Sequence, residues 1–176
     1  MTVGLIAGST RETGTTRKFL RKLKRRWGEA SAKTGNDATL IDAPDTEALP
    51  LFTSTRLAAG RPPAVEAWAT FVKTCDALVI ATPEYAHGVP AALKSALEWL
   101  VASGEFSRKR VLLITVTPGP PRGEKCMRAL SWVLQAMDAE VVAELPIHVT
   151  AAMLEESEEG AEWVELVDAG WEVIGG

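Results

Sequence analysis

The 176-residue chain has few of the features that mark secreted, membrane or nucleic-acid-binding proteins. Its two cysteines, Cys75 and Cys126, are too few for a disulfide framework and lack metal-ligand spacing, so we expect a reducing compartment. No apolar stretch approaches the ~18 residues of a membrane span. No basic segment precedes the first apolar run, so we expect no signal peptide. The net charge of −4 argues against general nucleic-acid binding.

What the chain does have is an ordinary globular composition, with 47% hydrophobic and 24% charged residues. A chain of this length can bury a sizeable core without disulfides or metals. We therefore expect a cytoplasmic protein, folded as one domain over residues 1–176, with no membrane or nucleic-acid partner.

Short apolar runs alternate with segments whose apolar residues recur at helical spacing. The runs predict strands at Thr2–Ala7, Ala38–Ile41, Ala77–Ala81, Val111–Val116 and Glu140–Leu145. Helices are predicted from about Thr15, from Pro62, over Pro90–Leu100, over Gly123–Met137 and in the tail, with a loop over residues 42–61. This alternation requires crossovers, so the strands are parallel and helices cover both faces. Five strands fit the flavodoxin-like, doubly wound α/β fold with strand order 2-1-3-4-5.

Ligands of such sheets bind beyond the carboxyl ends of the strands, where the first loop of interest is Gly8–Thr16. It leaves a strand and opens a helix, so backbone N–H groups and the helix dipole favour an anion there. Ser9, Arg11 and several threonines add the donors that hold a phosphate. Walker A and GxGxxG patterns are both missing, which argues against ATP hydrolysis and an ordinary Rossmann site. The alternative is a simple Ser/Thr-rich helix cap.

The second loop, Thr82–Pro90, follows the third strand. Two prolines stiffen it, and it presents a rigid lip where a planar aromatic ligand could lie. The alternative is a plain strand-to-helix connection with Tyr85 packed against the body of the protein.

Three segments together resemble the NADPH-dependent FMN reductase family, which includes quinone, chromate and azo-dye reductases. They are GSTRETGTTR after the first strand, LPLF at residues 49–52, and CDALVIATPEYAHGVPAALKSALEWL from Cys75 onward. The resemblance extends from about Thr2 to Leu145, and its most specific part is the PEY…P..LK…L pattern.

The resemblance implies that the first loop holds the phosphate of bound FMN. Ser9 and Arg11 match the family's phosphate-binding positions. Gly14 stands where the family usually has a serine, so Thr15 and Thr16, or the backbone, would supply the remaining contacts.

The second loop would then lie beside the ribityl chain and the isoalloxazine ring. The residues carried over are Pro83, Glu84, Tyr85 and Ala86, and His87 belongs to the same lip. Ala86 replaces the asparagine that is usual in the family, so one polar side-chain contact is lost.

A third loop, Thr117–Gly123, stands where the family often has a glycine-rich loop that flanks the flavin. Thr117 and Gly119 are the expected cofactor contacts, and three prolines make this version stiffer. Arg122 could reach the reduced flavin or a nicotinamide phosphate, or it could lie in solvent.

The activity implied is that of an oxidoreductase, in which hydride passes from NAD(P)H through N5 of bound FMN to quinone, flavin or a similar small-molecule acceptor. The cofactor carries this chemistry, so no catalytic side chain and no metal are predicted. Family members usually form dimers or tetramers, so a homodimer or homotetramer is expected. Two alternatives stay open: a flavin electron carrier with a protein partner, and a non-flavin binding module of the same fold.

Charge is distributed unevenly along the chain. Residues 17–26 include seven basic side chains, whereas residues 151–176 include eight acidic and no basic ones. We expect these segments to attract each other, within a chain or between subunits; the alternative is a solvated helix face.

An apolar stripe in the tail must also bury against the sheet or a neighbouring subunit. Both cysteines and Trp68, Trp99 and Trp132 are predicted to pack in the core.

Overall fold

A computed structural model describes residues 1–35, 38–156, 158 and 161–175. Five strands form one parallel sheet in the order 2-1-3-4-5, which confirms the predicted flavodoxin-like fold. The strands are β1 (Thr2–Ala7), β2 (Thr39–Asp42), β3 (Ala77–Thr82), β4 (Arg110–Thr117) and β5 (Glu140–His148). Each lies within three residues of its predicted bounds.

Helices cover both faces of this sheet. They are α1 (Thr15–Thr34), α2 (Ser54–Ala58), α3 (Pro63–Thr74), α4 (Ala91–Glu98), α5 (Glu124–Ala136) and α6 (Glu162–Gly175). Helices α1 and α6 enclose one core with alternate strand residues such as Val79 and Ile114. Helices α3, α4 and α5 enclose the other core with the intervening residues, such as Leu78 and Leu113. No helix in the described part of the chain is long and apolar enough to cross a membrane.

The loop predicted over residues 42–61 contains helical structure that the sequence pattern did not indicate. Thr46–Ala48 form a single 3₁₀ turn, capped by the Asp45 side chain. Helix α2 begins after Thr53, whose hydroxyl accepts a hydrogen bond from the Arg56 N–H at 3.1 Å. Such short segments are stabilised by local caps and show too few residues for a helical period to be recognised.

Two of the three tryptophan predictions are confirmed and one is wrong. Trp68 and Trp99 are fully buried, as predicted, but the prediction for Trp132 is wrong because it is 65% exposed. The buried residues of α5 include Leu130 and Leu134, and Trp132 lies between them in sequence, on the opposite side of the helix.

Both cysteines are buried thiols, as predicted. Burial raises the pKa of each to about 11. They are therefore protonated at neutral pH and poor nucleophiles.

The basic first helix and the acidic tail meet within one chain. Lys18 pairs with Glu155 at 2.6 Å, and Lys22 and Arg25 both pair with Glu158, at 2.9 and 2.6 Å. Arg26 pairs with Asp168. Glu159, also counted among the acidic residues, lies outside the described residues. Every basic side chain between residues 17 and 26 has an acidic partner, so this surface is not simply a solvated face.

The apolar stripe of the tail packs inside the same subunit. Trp171 contacts Trp27 with ring centroids 5.2 Å apart, and Trp163 meets Phe19 edge-on at 5.7 Å. The Trp27 indole N–H also donates to the Val167 carbonyl at 3.1 Å. Helix α6 therefore completes the core on this face.

Candidate cofactor site at the carboxyl edge of the sheet

The loops after β1 and β3 meet through two hydroxyl groups. Ser9 Oγ lies 3.3 Å from Tyr85 Oη, although the two residues are 76 positions apart. Ser9 is buried, whereas Tyr85 is 52% exposed. The parallel order brings these loops together because β1 and β3 are neighbours and both end at the same edge.

The N-terminus of α1 opens beside this contact. Gly14 occupies the N-cap position, no side chain caps it, and the first turn has no acidic residue, as far as the described residues extend. Its N–H donates to the Arg11 carbonyl at 2.9 Å, and a Cβ at Gly14 would lie 2.9 Å from that same oxygen. Glycine thus lets the loop close more tightly than a serine would. The uncapped first turn provides backbone donors and a positive dipole end for an anion.

Two arginines stand at this loop, in different roles. Arg11 is exposed, and its backbone N–H donates to Ser9 Oγ at 3.3 Å. Arg17 Nε instead donates to the Ser9 carbonyl at 3.2 Å, and its guanidinium pairs with Asp45 and Glu12 at 2.9 and 3.3 Å. Arg17 therefore holds the loop backbone. Sequence reasoning placed it only among the basic residues of the helix, since no local pattern marks this contact.

The two predicted hydroxyl donors in the first turn of α1 differ in accessibility. Thr16 is buried and Thr15 is half-buried. The structure places both at the start of α1, beside the open N-terminus.

The lip of the second loop is a two-residue turn. Tyr85 and Gly88 exchange backbone hydrogen bonds of 3.1 and 2.8 Å. The intervening Ala86 and His87 have φ values of 48° and 62°, as the central residues of a type I′ turn do. Asparagine, which the family resemblance leads us to expect at position 86, tolerates this conformation better than alanine does.

Glu84 connects this lip to α5. Its side chain is 7% exposed, and Oε2 accepts a hydrogen bond from the Cys126 N–H at 3.1 Å. Burial alone would raise the pKa of Glu84, but hydrogen bonds from Cys126, His87 and Gly123 outweigh it and hold the pKa below its ordinary value. Glu84 therefore acts as a cap for α5, whose own N-cap residue, Gly123, has no side chain.

The lip makes two further side-chain contacts, and Gly123 packs closely at the start of α5. The Cys126 thiol lies 3.5 Å from the Pro83 carbonyl oxygen, which ties the lip to α5 a second time. His87 is exposed, with Nδ1 3.3 Å from Glu84 Oε1. A Cβ at Gly123, where φ is 100°, would lie 2.7 Å from Thr115 Oγ1, so only glycine lets α5 approach β4 this closely.

The third loop is held by a chain of side-chain hydrogen bonds. Thr117 Oγ1 lies 3.0 Å from the Arg122 carbonyl and 3.1 Å from His148 Nδ1. A carbonyl can only accept, so the single hydroxyl proton goes to Arg122 and His148 Nδ1–H is the donor. The Thr117 hydroxyl therefore holds the loop. A Cβ at Gly119 would meet open space among the described residues.

Sequence reasoning missed the link to His148. Thr117 and His148 are register partners in the β4–β5 pair. That pair contains a register shift at Val111/Leu112, which cannot be read from the apolar pattern of either strand.

Comparisons with known proteins identify the family of this chain. The sequence profile of the NADPH-dependent FMN reductase family matches residues 1–153, and the chain belongs to that family. Over 85 residues it is 38% identical to a quinone reductase of Escherichia coli strain K12, a match covering 47% of this chain and 45% of the relative. The chain thus spans about half the length of that curated relative.

Two solved structures share the fold. One is FerB, a flavoenzyme NAD(P)H:(acceptor) oxidoreductase from Paracoccus denitrificans, with a TM-score of 0.75, 20% identity and coverage of 98% of this chain and 96% of that one. The other is general stress protein 14 of Treponema denticola in complex with FMN, with a TM-score of 0.56, 17% identity and coverage of 96% and 98%. At these identities the likeness establishes the fold.

Proposed function

We propose that this chain, as one domain over residues 1–176, is an FMN-dependent NAD(P)H oxidoreductase that reduces quinones, flavins or similar small-molecule acceptors. The observation that carries the proposal is the Ser9–Tyr85 contact beside the uncapped N-terminus of α1. It joins an anion site to an exposed aromatic ring, which suits a ligand with a phosphate at one end and a planar ring system at the other. Family membership and the FMN complex of a protein with the same fold support it.

The residues present fit FMN. Ser9, Arg11, Thr15 and Thr16, with the first-turn N–H groups of α1, would hold its phosphate. When bound, FMN supplies hydride acceptance and donation.

The second and third loops would border the ring of the cofactor. Pro83, Tyr85, Ala86 and His87 would form one border, and Gly119 with Thr117 the other. Glu84 and Thr117 would contribute through the loops that they hold, because their polar groups are engaged with α5 and Arg122. The rigid loops keep the binding surface in place without a side-chain acid or base.

We test the cofactor first by absorption. The purified protein with added FMN should show a flavin band at about 450 nm that bleaches with NADPH under anaerobic conditions. Bleaching that reverses on addition of a quinone would support the reductase. A protein that ignores FMN would instead favour the non-flavin binding module, and one that is reduced only through a partner protein would favour the electron carrier.

The phosphate assignment has its own test. Ser9→Ala with Arg11→Ala should weaken FMN binding by about 2–4 kcal/mol, from one charged and one neutral hydrogen bond. Riboflavin lacks the phosphate, so its affinity should change little. Lys33→Ala, at the far end of α1, removes one positive charge as a control. Equal losses for FMN and riboflavin would contradict the assignment.

We also propose a cytoplasmic homodimer or homotetramer. Support comes from the usual assembly of the family and from a composition without secretory features. Helix α6 buries its apolar stripe within its own subunit, so assembly would use another surface.

A further inference from the structure

A groove lies between the first turns of α1 and the segment that follows β2. It has a volume of about 220 Å³, and Leu5, Leu20 and Pro44 form part of its apolar lining. Its polar lining consists of Glu12, Arg17, Arg21, Asp42 and Thr46. We call it the α1–β2 groove.

Two arginines of the α1–β2 groove converge on one carboxylate. Arg17 Nη1 lies 3.3 Å from Glu12 Oε2, and Arg21 Nη1 lies 3.2 Å from Glu12 Oε1. Arg17 and Arg21 are four positions apart in α1, so their side chains share one face of the helix. Two guanidinium groups that each contact one oxygen also suit a phosphate, which offers more acceptor oxygens and more charge than a carboxylate.

The arginine and carboxylate sides of this cluster differ in how firmly they are held. The Arg17 side chain is 19% exposed, and it also contacts the Ser9 carbonyl at 3.2 Å and Asp45 at 2.9 Å. The Glu12 side chain is 71% exposed and lies on the first loop. Because exposed ion pairs contribute little stability, a more highly charged anion can replace Glu12 while Arg17 stays in place.

The groove also carries polar groups suited to a ribose. Asp42, which pairs with Lys24, is the last residue of β2. In dinucleotide-binding parallel sheets, an acidic residue after the first βα unit binds the ribose, and a nearby arginine accommodates a 2′-phosphate. Thr46 is 3% exposed, and its hydroxyl has no hydrogen-bond partner among the residues that the structure describes. Buried polar groups are rarely left unsatisfied, so this hydroxyl favours a polar ligand in the groove.

We propose that the α1–β2 groove binds the 2′-phosphoribose of NADPH, with Arg17 and Arg21 on the 2′-phosphate in place of Glu12. NADH has a hydroxyl at that position and lacks the charge, so the groove makes the chain prefer NADPH as reductant. The inference rests on the proposed function for the source of this ligand, and it adds the residues that select it.

The experiment measures binding of adenosine 2′,5′-bisphosphate and of 5′-AMP to the full-length protein by calorimetry, with and without added FMN. Wild type should bind the bisphosphate at least about tenfold more tightly than 5′-AMP, because only the bisphosphate has the 2′-phosphate. Arg21→Ala should lower the affinity for the bisphosphate about tenfold and leave that for 5′-AMP unchanged. Arg17 is kept, since it also holds the Ser9 carbonyl.

The matched control is Arg25→Ala. The Arg25 side chain is 59% exposed and that of Arg21 58%, and both belong to α1, but Arg25 pairs with Glu158 and does not line the groove. Arg25→Ala should therefore keep the wild-type affinity for both nucleotides.

Glu12→Gln sharpens the test in the opposite direction. It removes the carboxylate that competes for both arginines, so the affinity for the bisphosphate should rise several-fold. Glu66→Gln removes an exposed carboxylate of α3 and should have no such effect.

No preference of wild type for the bisphosphate over 5′-AMP would overturn the proposal, as would unchanged bisphosphate affinity in Arg21→Ala. Equal losses in Arg21→Ala and Arg25→Ala would indicate a general effect of charge and would also overturn it. In the FMN-loaded protein, Arg21→Ala should lower the ratio of kcat/KM for NADPH to that for NADH about tenfold. Because nucleotide binding is also measured without flavin, failure of the proposed reductase would be seen separately, in the absorption spectrum.

Discussion

Helices α1 and α5 each carry a tryptophan with charged residues of both signs nearby. The two helices differ in whether the tryptophan is buried and whether the charges are paired. On α1, Trp27 is buried against Trp171, and the surrounding basic residues have acidic partners. On α5, Trp132 is exposed, and among the described residues neither Lys125 nor Arg128 beside it has an acidic partner within 4.0 Å. The difference arises because α6 packs on the α1 side of the sheet and not over α5. The tryptophan of one amphipathic helix is thus covered by a distant segment of the chain, whereas that of the other stays exposed.

The sharpest contrast is between Trp27→Ala and Trp132→Ala. The first removes a fully buried indole, its ring contact and its hydrogen bond, and should lower the free energy of unfolding by about 3–5 kcal/mol. The second should change it by no more than about 0.5 kcal/mol in dilute solution. Urea denaturation of both variants measures this. Similar losses would show that Trp132 is packed within the monomer.

Glu84→Gln tests how much the capping of the α5 N-terminus contributes to the free energy of unfolding, for comparison with the contacts of α1. The folded-state pKa of Glu84 lies below its ordinary value of 4.5, so its carboxylate stabilises the fold above that pH. This contribution is lost as the pH falls through the lowered pKa. We expect Glu84→Gln to cost about 1–2 kcal/mol at neutral pH, because a charged acceptor becomes neutral.

The difference in unfolding free energy between this variant and wild type should shrink as the pH falls through the lowered pKa of Glu84, because the wild-type carboxyl group is then neutral as well. Unfolding free energies measured from neutral to acidic pH give the comparison, with the exposed Glu140→Gln as control. A loss independent of pH would mean that shape, rather than charge, holds the α5 terminus.

Arg26→Ala and Arg128→Ala compare the stability contributed by an arginine that pairs with a carboxylate and by one with no such partner among the described residues. Arg26 donates to both carboxylate oxygens of Asp168, and that hydrogen bonding raises its pKa. The pair is partly exposed, so its loss should cost about 1 kcal/mol. Arg128→Ala should leave monomer stability unchanged. Thermal unfolding at low protein concentration distinguishes the two, and equal effects would erase the distinction between the faces.

Salt should produce the smallest effect. At 1 M the screening length falls to about 3 Å, so the stability gap between wild type and Arg26→Ala should narrow by a few tenths of a kcal/mol. If high salt changed neither the stability of wild type nor its state of assembly, the attraction between the α1 charges and the acidic tail would contribute nothing measurable to either.

The candidate site was only partly predictable. Ser9 and Tyr85 were expected in one site because loops at neighbouring carboxyl ends must meet, and the structure joins them. The role of Glu84 as a cap of α5 was not expected, since its partner Cys126 is 42 positions away. The His148–Thr117 contact depends on a register shift that neither strand reveals.

Local pattern was enough to determine the order of strands and helices and the parallel sheet, because side-chain period and crossover handedness act over short stretches of chain. The sheet edge at which a ligand is expected follows from that topology. The family resemblance is likewise carried by short motifs in the loops after β1 and β3. Which charges pair and which tryptophan is covered were decided only in three dimensions. Arg26 meets Asp168 across 142 positions, and Trp132 stays exposed because α6 packs on the other face of the sheet. Periodicity identifies an apolar stripe, but the surface that buries it depends on where distant segments come to lie.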